Sequence, residues 1–186
     1  EQAFAKDGLG TTRMETIAAR AGVAVGTLYN YFEDRADLVR ALASHRREEL
    51  VQGMDEALRA AAGAPFEAHV EAFVRSVLRF VDTHVAYFQL LMVQEWTQHT
   101  AERMDGFKKT MEEMIARADR VMAAGVKERA IPAAKAEFHA AALVGVVRSM
   151  VMGKVKGHID GPAVDVTPDV VHLFLHGALS PRDRKR

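Results

Sequence analysis

The chain contains no cysteine among its 186 residues. That excludes a disulfide framework and any thiolate zinc site, and it fits the reducing cytoplasm where the protein is expected to work. It also lacks charge of one sign. The 25 basic residues are balanced by 25 acidic ones, so any attraction to a polyanion must come from a local patch. No run of alternating β-branched residues is long enough for a strand, which excludes a sheet-based fold. Long hydrophobic runs are scarce too. The most apolar one, residues 138–153, is interrupted by Arg148 and reads as short for a bilayer, so no membrane partner is expected. No signal-peptide pattern opens the sequence. It starts at Glu1 without a methionine and already inside a helical pattern, so further residues are expected before it. There is no nucleophile–base pair, no glycine-rich phosphate loop and no carboxylate cluster. An enzyme is therefore not expected, and no cofactor is implied.

What is present is helix-forming. Hydrophobic residues make up 49 %, enough for one or two globular domains with a core. "EQAFAKDG" reads as the end of a first helix closed by Gly8. "TTRMETIAARAG" reads as a second, with Thr12 and Glu15 as a capping box, an apolar stripe of Met14, Ile17, Ala18 and Ala21, and Gly22 as its stop. Asp34 starts a long helix that ends before "GAP" at 63–65. Further helices are expected over about 66–83, 85–96, 101–124 (ended near Gly125) and 132–156. A last one is capped by Thr167 with Pro168 at its first position. The terminal "RDRKR" reads as a solvated charge run.

Between the second and the long helix lies "VGTLYNYF", residues 25–32, with three aromatic rings and no charge. As a strand it would put Leu28, Asn30 and Phe32 on one face, a poor mix. At about 100° per residue, a helix instead buries Leu28 with Phe32. It then shows a slim polar ridge of Gly26, Thr27 and Asn30, with Tyr29 and Tyr31 on its flanks. Such a ridge fits the DNA major groove. Small residues allow close approach, Asn can read adenine, and phenolic hydroxyls can reach phosphates on both walls. With the preceding helix and the turn "GVAV" it makes a helix-turn-helix. The plain alternative is a surface helix with half-buried tyrosines.

The stretch "GLGTTRMETIAARAGVAVGTLYNYFEDRADLVRAL" resembles the DNA-binding domain of TetR-family transcriptional regulators. The resemblance covers about a quarter of the chain. It implies an all-α fold: a three-helix DNA-binding domain at 1–47 followed by a larger ligand-sensing and dimerisation domain at 48–186. It implies phosphate contacts at Thr12, Tyr29, Tyr31 and Arg35, with Arg13 beside them. It places Val25, Gly26, Thr27 and Asn30 at the groove. Two departures stand out, because the family often has Ser and then a basic or polar residue where this chain has Ala24 and Val25. Ala24 has no side chain to cap a helix, and Val25 offers a thymine methyl a contact rather than a hydrogen bond.

Residues 1–47 carry seven basic groups against six acidic ones, a net of +1. Non-specific DNA affinity should be modest, and two subunits on a palindromic operator should be required. For the homodimer, Ala142, Gly145, Ser149 and Gly153 form a smooth stripe for a partner helix, joined by Val171, Phe174 and Leu175 of the last helix. For a small, largely apolar effector, the candidate contacts are Phe73, Phe80, Tyr87, Phe88, Met92, Trp96, Phe107, Met111, Phe138 and His139. His172 and His176 have two-His metal spacing but no evident third ligand, so no metal is expected. The function these readings imply is a ligand-responsive DNA-binding regulator, a repressor released by its effector. The alternative is a helical adaptor that binds protein and not DNA.

Overall fold

The computed structural model describes residues 12–93 and 100–177, with the side chains of 90–93 and 100–104 set aside. The expected first-helix stop at Gly8, the Trp96 side chain and the basic tail lie outside the described residues, as does the side chain of Met92. Every regular element among the described residues is helical. They are α1 (Met14–Ala21), α2 (Val25–Tyr29), α3 (Arg35–Ala60), α4 (Phe66–Thr83), α5 (Val85–Val93), α6 (Thr100–Lys127), α7 (Ala136–Val155) and α8 (Thr167–His176). Short 3-10 turns at Ala133–Lys135 and Ala163–Val166 lead into the last two.

The chain divides into two compact units. Residues 1–49 and 84–109 form one; residues 50–83 and 110–186 form the other. The sequence suggests a boundary near residue 47, with everything beyond it in a second domain. In the structure α5 belongs instead with the helix-turn-helix. Tyr87, 8 % exposed, closes a small apolar cluster with Ile17, Leu38, Val39, Leu42, Ala43 and Phe88. The short helices α1 and α2 have little apolar area to bury on their own, and α5 adds a further apolar layer.

Local signals set the start of this unit. Gly22 takes a left-handed conformation at φ 71°, and the Val23 amide reaches back to the Ala18 carbonyl at 3.0 Å, the pattern that ends a helix on glycine. Asp34 starts α3 through its side chain: Oδ1 accepts the Asp37 amide at 2.7 Å, and Asp37 Oδ2 accepts the Glu33 amide at 3.2 Å.

The second unit is built around α4, which packs against α7, α8 and the 163–166 turn. Its core joins Val70, Phe73, Val74, Val77 and Leu78 of α4 to Met54, Met122, Leu143 and Val147, each nearly or wholly buried. Asp82 near the end of α4 accepts the amides of Ala163 and Val164, at 2.7 and 2.9 Å, which ties the turn before α8 to the core.

Several features differ from expectation. At the start of α1 the N-cap is Arg13 and no side chain caps the helix, so Thr12 and Glu15 do not form a capping box. Helix α6 runs past Gly125 to Lys127, and its left-handed residue is Arg129 at φ 60°. The Ala130 amide then returns to the Gly125 carbonyl at 2.8 Å. Gly125 itself is a point of close approach inside the helix, where the Phe66 ring leaves no room for a side chain. At the last helix Thr167 does not cap. The 3-10 turn feeds straight into α8, Thr167 is its first residue, and its hydroxyl donates to the Val164 carbonyl at 2.6 Å. Residues 133–155 are, against expectation, long and apolar enough to cross a membrane, with a mean hydropathy of 1.3 over the best window. Only 22 % of that window is buried within the chain.

Candidate nucleic-acid interface

Helix α2 is short, and none of its five residues is buried. Ala24 precedes it in extended conformation and makes no side-chain cap bond. Helical hydrogen bonding continues past Tyr29: the Asn30 amide donates to Gly26 at 3.1 Å, and the Phe32 amide to Leu28 at 2.9 Å. The ridge therefore reaches Asn30. As the pattern requires, Leu28 and Phe32 are half-buried, while Gly26, Thr27 and Asn30 are exposed. Tyr29 and Tyr31 are 51 % and 76 % exposed, high values for aromatic rings that could have covered core. Val25 is 37 % exposed, and nothing lies within 4 Å of the position a Gly26 Cβ would take.

The residues expected to flank the groove are brought to the same unit. Arg13 is exposed, in extended conformation immediately before α1. Thr12 is buried at 1 % exposure, and its carbonyl accepts Arg35 Nη1 at 3.4 Å, so Arg35 links the start of α3 to the start of α1. Helix α1 packs against α2. Together they present a face of Val, Gly, Thr, Asn and two phenols in which α2 itself carries no charged side chain.

At the other end of the unit, Arg46 donates a hydrogen bond to Glu49, which holds the Glu49 carboxyl below its ordinary value; the charges of Arg46, His45 and His84 add to the effect. His84 Nε2 lies 3.9 Å from Glu49 Oε2, so the residue that leads into α5 faces α3.

Residues 1–42 match the family model described as "Bacterial regulatory proteins, tetR family". This N-terminal module is a match to the DNA-binding part of TetR-family regulators. An uncharacterised helix-turn-helix transcriptional regulator of Bacillus subtilis (strain 168), YhgD, is 29 % identical over 83 residues, a stretch covering 45 % of this chain and 42 % of YhgD. The chain thus matches less than half of that relative's length. Solved TetR-like folds match almost throughout. The regulator FadR of Bacillus subtilis, solved in complex with stearoyl-CoA, superposes with a TM-score of 0.79 at 17 % identity, covering 96 % of this chain and 95 % of that one. The TetR-family regulator PfmR of Thermus thermophilus gives 0.75 at 17 % identity, with 96 % of each chain covered. At such identities the likeness is one of fold.

Within the chain the expected effector residues are dispersed. Phe73 is wholly buried core, and Phe80 and Met111 pack against that core. Tyr87 and Phe88 lie in the first unit's cluster, and Phe107 is exposed. Phe138, 68 % exposed, points away from any interior and belongs with the outward stripe of α7. His139 is half-buried; its ring meets the edges of Phe138 and Phe174, and its Nδ1 is buried with no hydrogen-bond partner. A cleft of about 510 Å³ does open in the second unit between α4 and α8, lined by Glu67, Glu71, Asp169, His172, His176, Pro168 and Val171. None of the expected effector contacts lines it.

The expected dimer stripe divides. Gly145 and Ser149 are exposed and Ala142 is half-exposed, on the same side of α7 as Phe138. Gly153 instead meets Ile159 of its own chain, 3.2 Å from where its Cβ would stand, and Val171 is buried in the core. Phe174 and Leu175 pack partly against that core, whereas Leu173, which the sequence reading passed over, is 41 % exposed on α8. Its signal was available: Leu173 lies one turn from Asp169 and His176 on the solvent side of the helix.

Proposed function

We propose that this chain is a homodimeric, ligand-responsive DNA-binding repressor of the TetR family, working in the cytoplasm. The observation that carries the reading is the exposed ridge of α2. A helix that leaves two tyrosines in solvent on the edges of a slim uncharged ridge is poorly suited to its own core and well suited to a groove bounded by phosphates. Arg13, Tyr29, Tyr31 and Arg35 hold the backbone in this proposal, and Val25, Gly26, Thr27 and Asn30 face the bases; Thr12, also expected at a phosphate, is buried at 1 % exposure and drops out of the set. The adaptor reading is not favoured, since the module's relatives are transcriptional regulators.

The dimer forms through the outward faces of α7 and α8. Phe138, Ala142, Gly145, Ser149 and Leu173 leave apolar and small-residue surface uncovered, and only 22 % of the apolar α7 window is buried. A second copy is the partner that two half-sites demand. The effector is a small molecule with a large apolar portion, in keeping with the stearoyl-CoA bound by FadR of Bacillus subtilis. It favours an arrangement of the dimer that no longer fits the operator, so operator and effector weaken each other by the same factor.

The test is a mobility shift with duplexes from the region upstream of the chain's own gene, with and without lipophilic compounds. Wild-type protein should shift at least one duplex more tightly than random DNA. Tyr29→Phe, which removes one hydroxyl, should weaken specific and random binding alike without changing thermal stability. No shift with any duplex, or an unchanged shift for Tyr29→Phe, refutes the assigned interface.

A further inference from the structure

Resting on the DNA-binding reading, the composition and exposure of α2 go further and point to the chemistry of the operator. We infer that the base pairs under α2 are A·T pairs, read through thymine methyl groups by Val25 and through adenine by Asn30, with no direct reading of guanine by this helix.

The argument begins with donors and acceptors. Guanine is recognised in the major groove mainly by Arg or Lys, which donate to O6 and N7 together, and cytosine by Asp or Glu, which accept from its amino group. From Val25 to Asn30 this helix has none of these four residue types. Arg35, the next cation along the chain, donates to the Thr12 carbonyl and sits at the start of α3, beyond the ridge. What α2 does expose suits A·T pairs. The first-turn residues of a recognition helix are those that approach base edges, and here they are Val25, Gly26 and Thr27. Val25 stands in solvent although it is apolar, and a thymine C5-methyl is the apolar feature of the major groove. Gly26 has open space where a side chain would begin, so the backbone can come close enough for a short Val side chain to touch. Asn30, exposed at the other end of the ridge, can both accept from adenine N6 and donate to N7. Gly26, Thr27 and Asn30 cannot substitute for a cation at guanine without leaving its second acceptor unmatched.

The experiment starts from selection of binding sites by the full chain from a random duplex library, with affinities then measured by fluorescence anisotropy. Enriched half-sites should carry A·T pairs at the positions that Val25→Ala or Asn30→Ala relax. In the best duplex, uracil in place of the thymine under Val25 deletes one methyl and should lower wild-type affinity about fourfold. Val25→Ala should bind thymine and uracil duplexes equally, while Val25→Thr, which keeps a methyl on the same branched carbon, should retain part of the difference. Asn30→Ala should lose about 5- to 150-fold discrimination at one adenine. Thermal melts of each variant guard against misfolding, and because the uracil arm leaves the protein unchanged it holds whatever the variants do. Half-sites with G·C pairs under α2, or no effect of uracil at any position, overturn the inference while leaving DNA binding in place. Failure to enrich any sequence overturns both.

Discussion

Gly125→Ala pits two known quantities against each other in one place. Gly125 lies within α6, so alanine there gains about 0.8–1.0 kcal/mol of helix propensity. On an open helix face that gain would be realised. Here the new Cβ would stand 2.8 Å from Phe66 Cε2 and 2.9 Å from Cδ2, whereas carbon atoms pack best at about 3.5–4.0 Å. Relief requires movement of Phe66, and it is held at both ends. Its ring is 5 % exposed in the core, and its amide donates to Glu128 Oε2 at 2.9 Å. Overpacking of this kind costs about 1–3 kcal/mol, so the loss exceeds the gain and the variant should be less stable by about 1 kcal/mol. For a chain of this length that lowers the melting temperature by roughly 2–4 °C. Thermal and urea denaturation of Gly125→Ala, Phe66→Leu and the double variant check the cause. The smaller Leu makes room, so the double variant should be more stable than the sum of the two single changes, by about 0.5 kcal/mol or more. A Gly125→Ala protein that melts above wild type, with the two changes simply additive, would show that propensity governs the site and that the close approach does not exist.

Two further outcomes are expected. Arg117, aided by Arg120, donates to Asp55 and holds its carboxyl below the ordinary value of 3.8; with side-chain exposures of 14 % for Arg117 and 28 % for Asp55, Asp55→Asn should cost about 1–2 kcal/mol, less than a fully buried pair. Because the folded-state value is depressed, the pair's contribution is present above about pH 4 and is lost as pH falls through the folded value, so acid denaturation of Asp55→Asn should be less steep below pH 4. For assembly, Gly145→Leu with Ser149→Leu should place two large side chains on the uncovered face of α7; sedimentation should then give monomer with an unchanged fold, and operator affinity should drop because the half-sites are no longer bound together. A wild-type chain that is monomeric at micromolar concentration would refute the assembly outright.

Much was decided locally and could be read from the chain. The Gly22 stop, the Asp34 cap and the division of α2 into a buried Leu28–Phe32 side and a polar ridge follow from backbone freedom, side-chain reach and helical period, which neighbours in sequence determine. The exposed polar ridge was legible for the same reason: Gly26, Thr27 and Asn30 lie within five consecutive positions of helical backbone. Other features depended on partners distant in the chain. Gly125 reads as a helix end because glycine usually is one, but Phe66, 59 positions earlier, makes it a contact point, and Arg129 takes the left-handed turn instead. Phe138, Phe73 and Tyr87 look alike in sequence, as large rings on amphipathic helices. Tertiary packing sends one to solvent, one to the core of the second unit and one to the cluster beneath the helix-turn-helix. Hydrophobicity states that such a ring prefers to leave water; only the surfaces available around it determine where it goes.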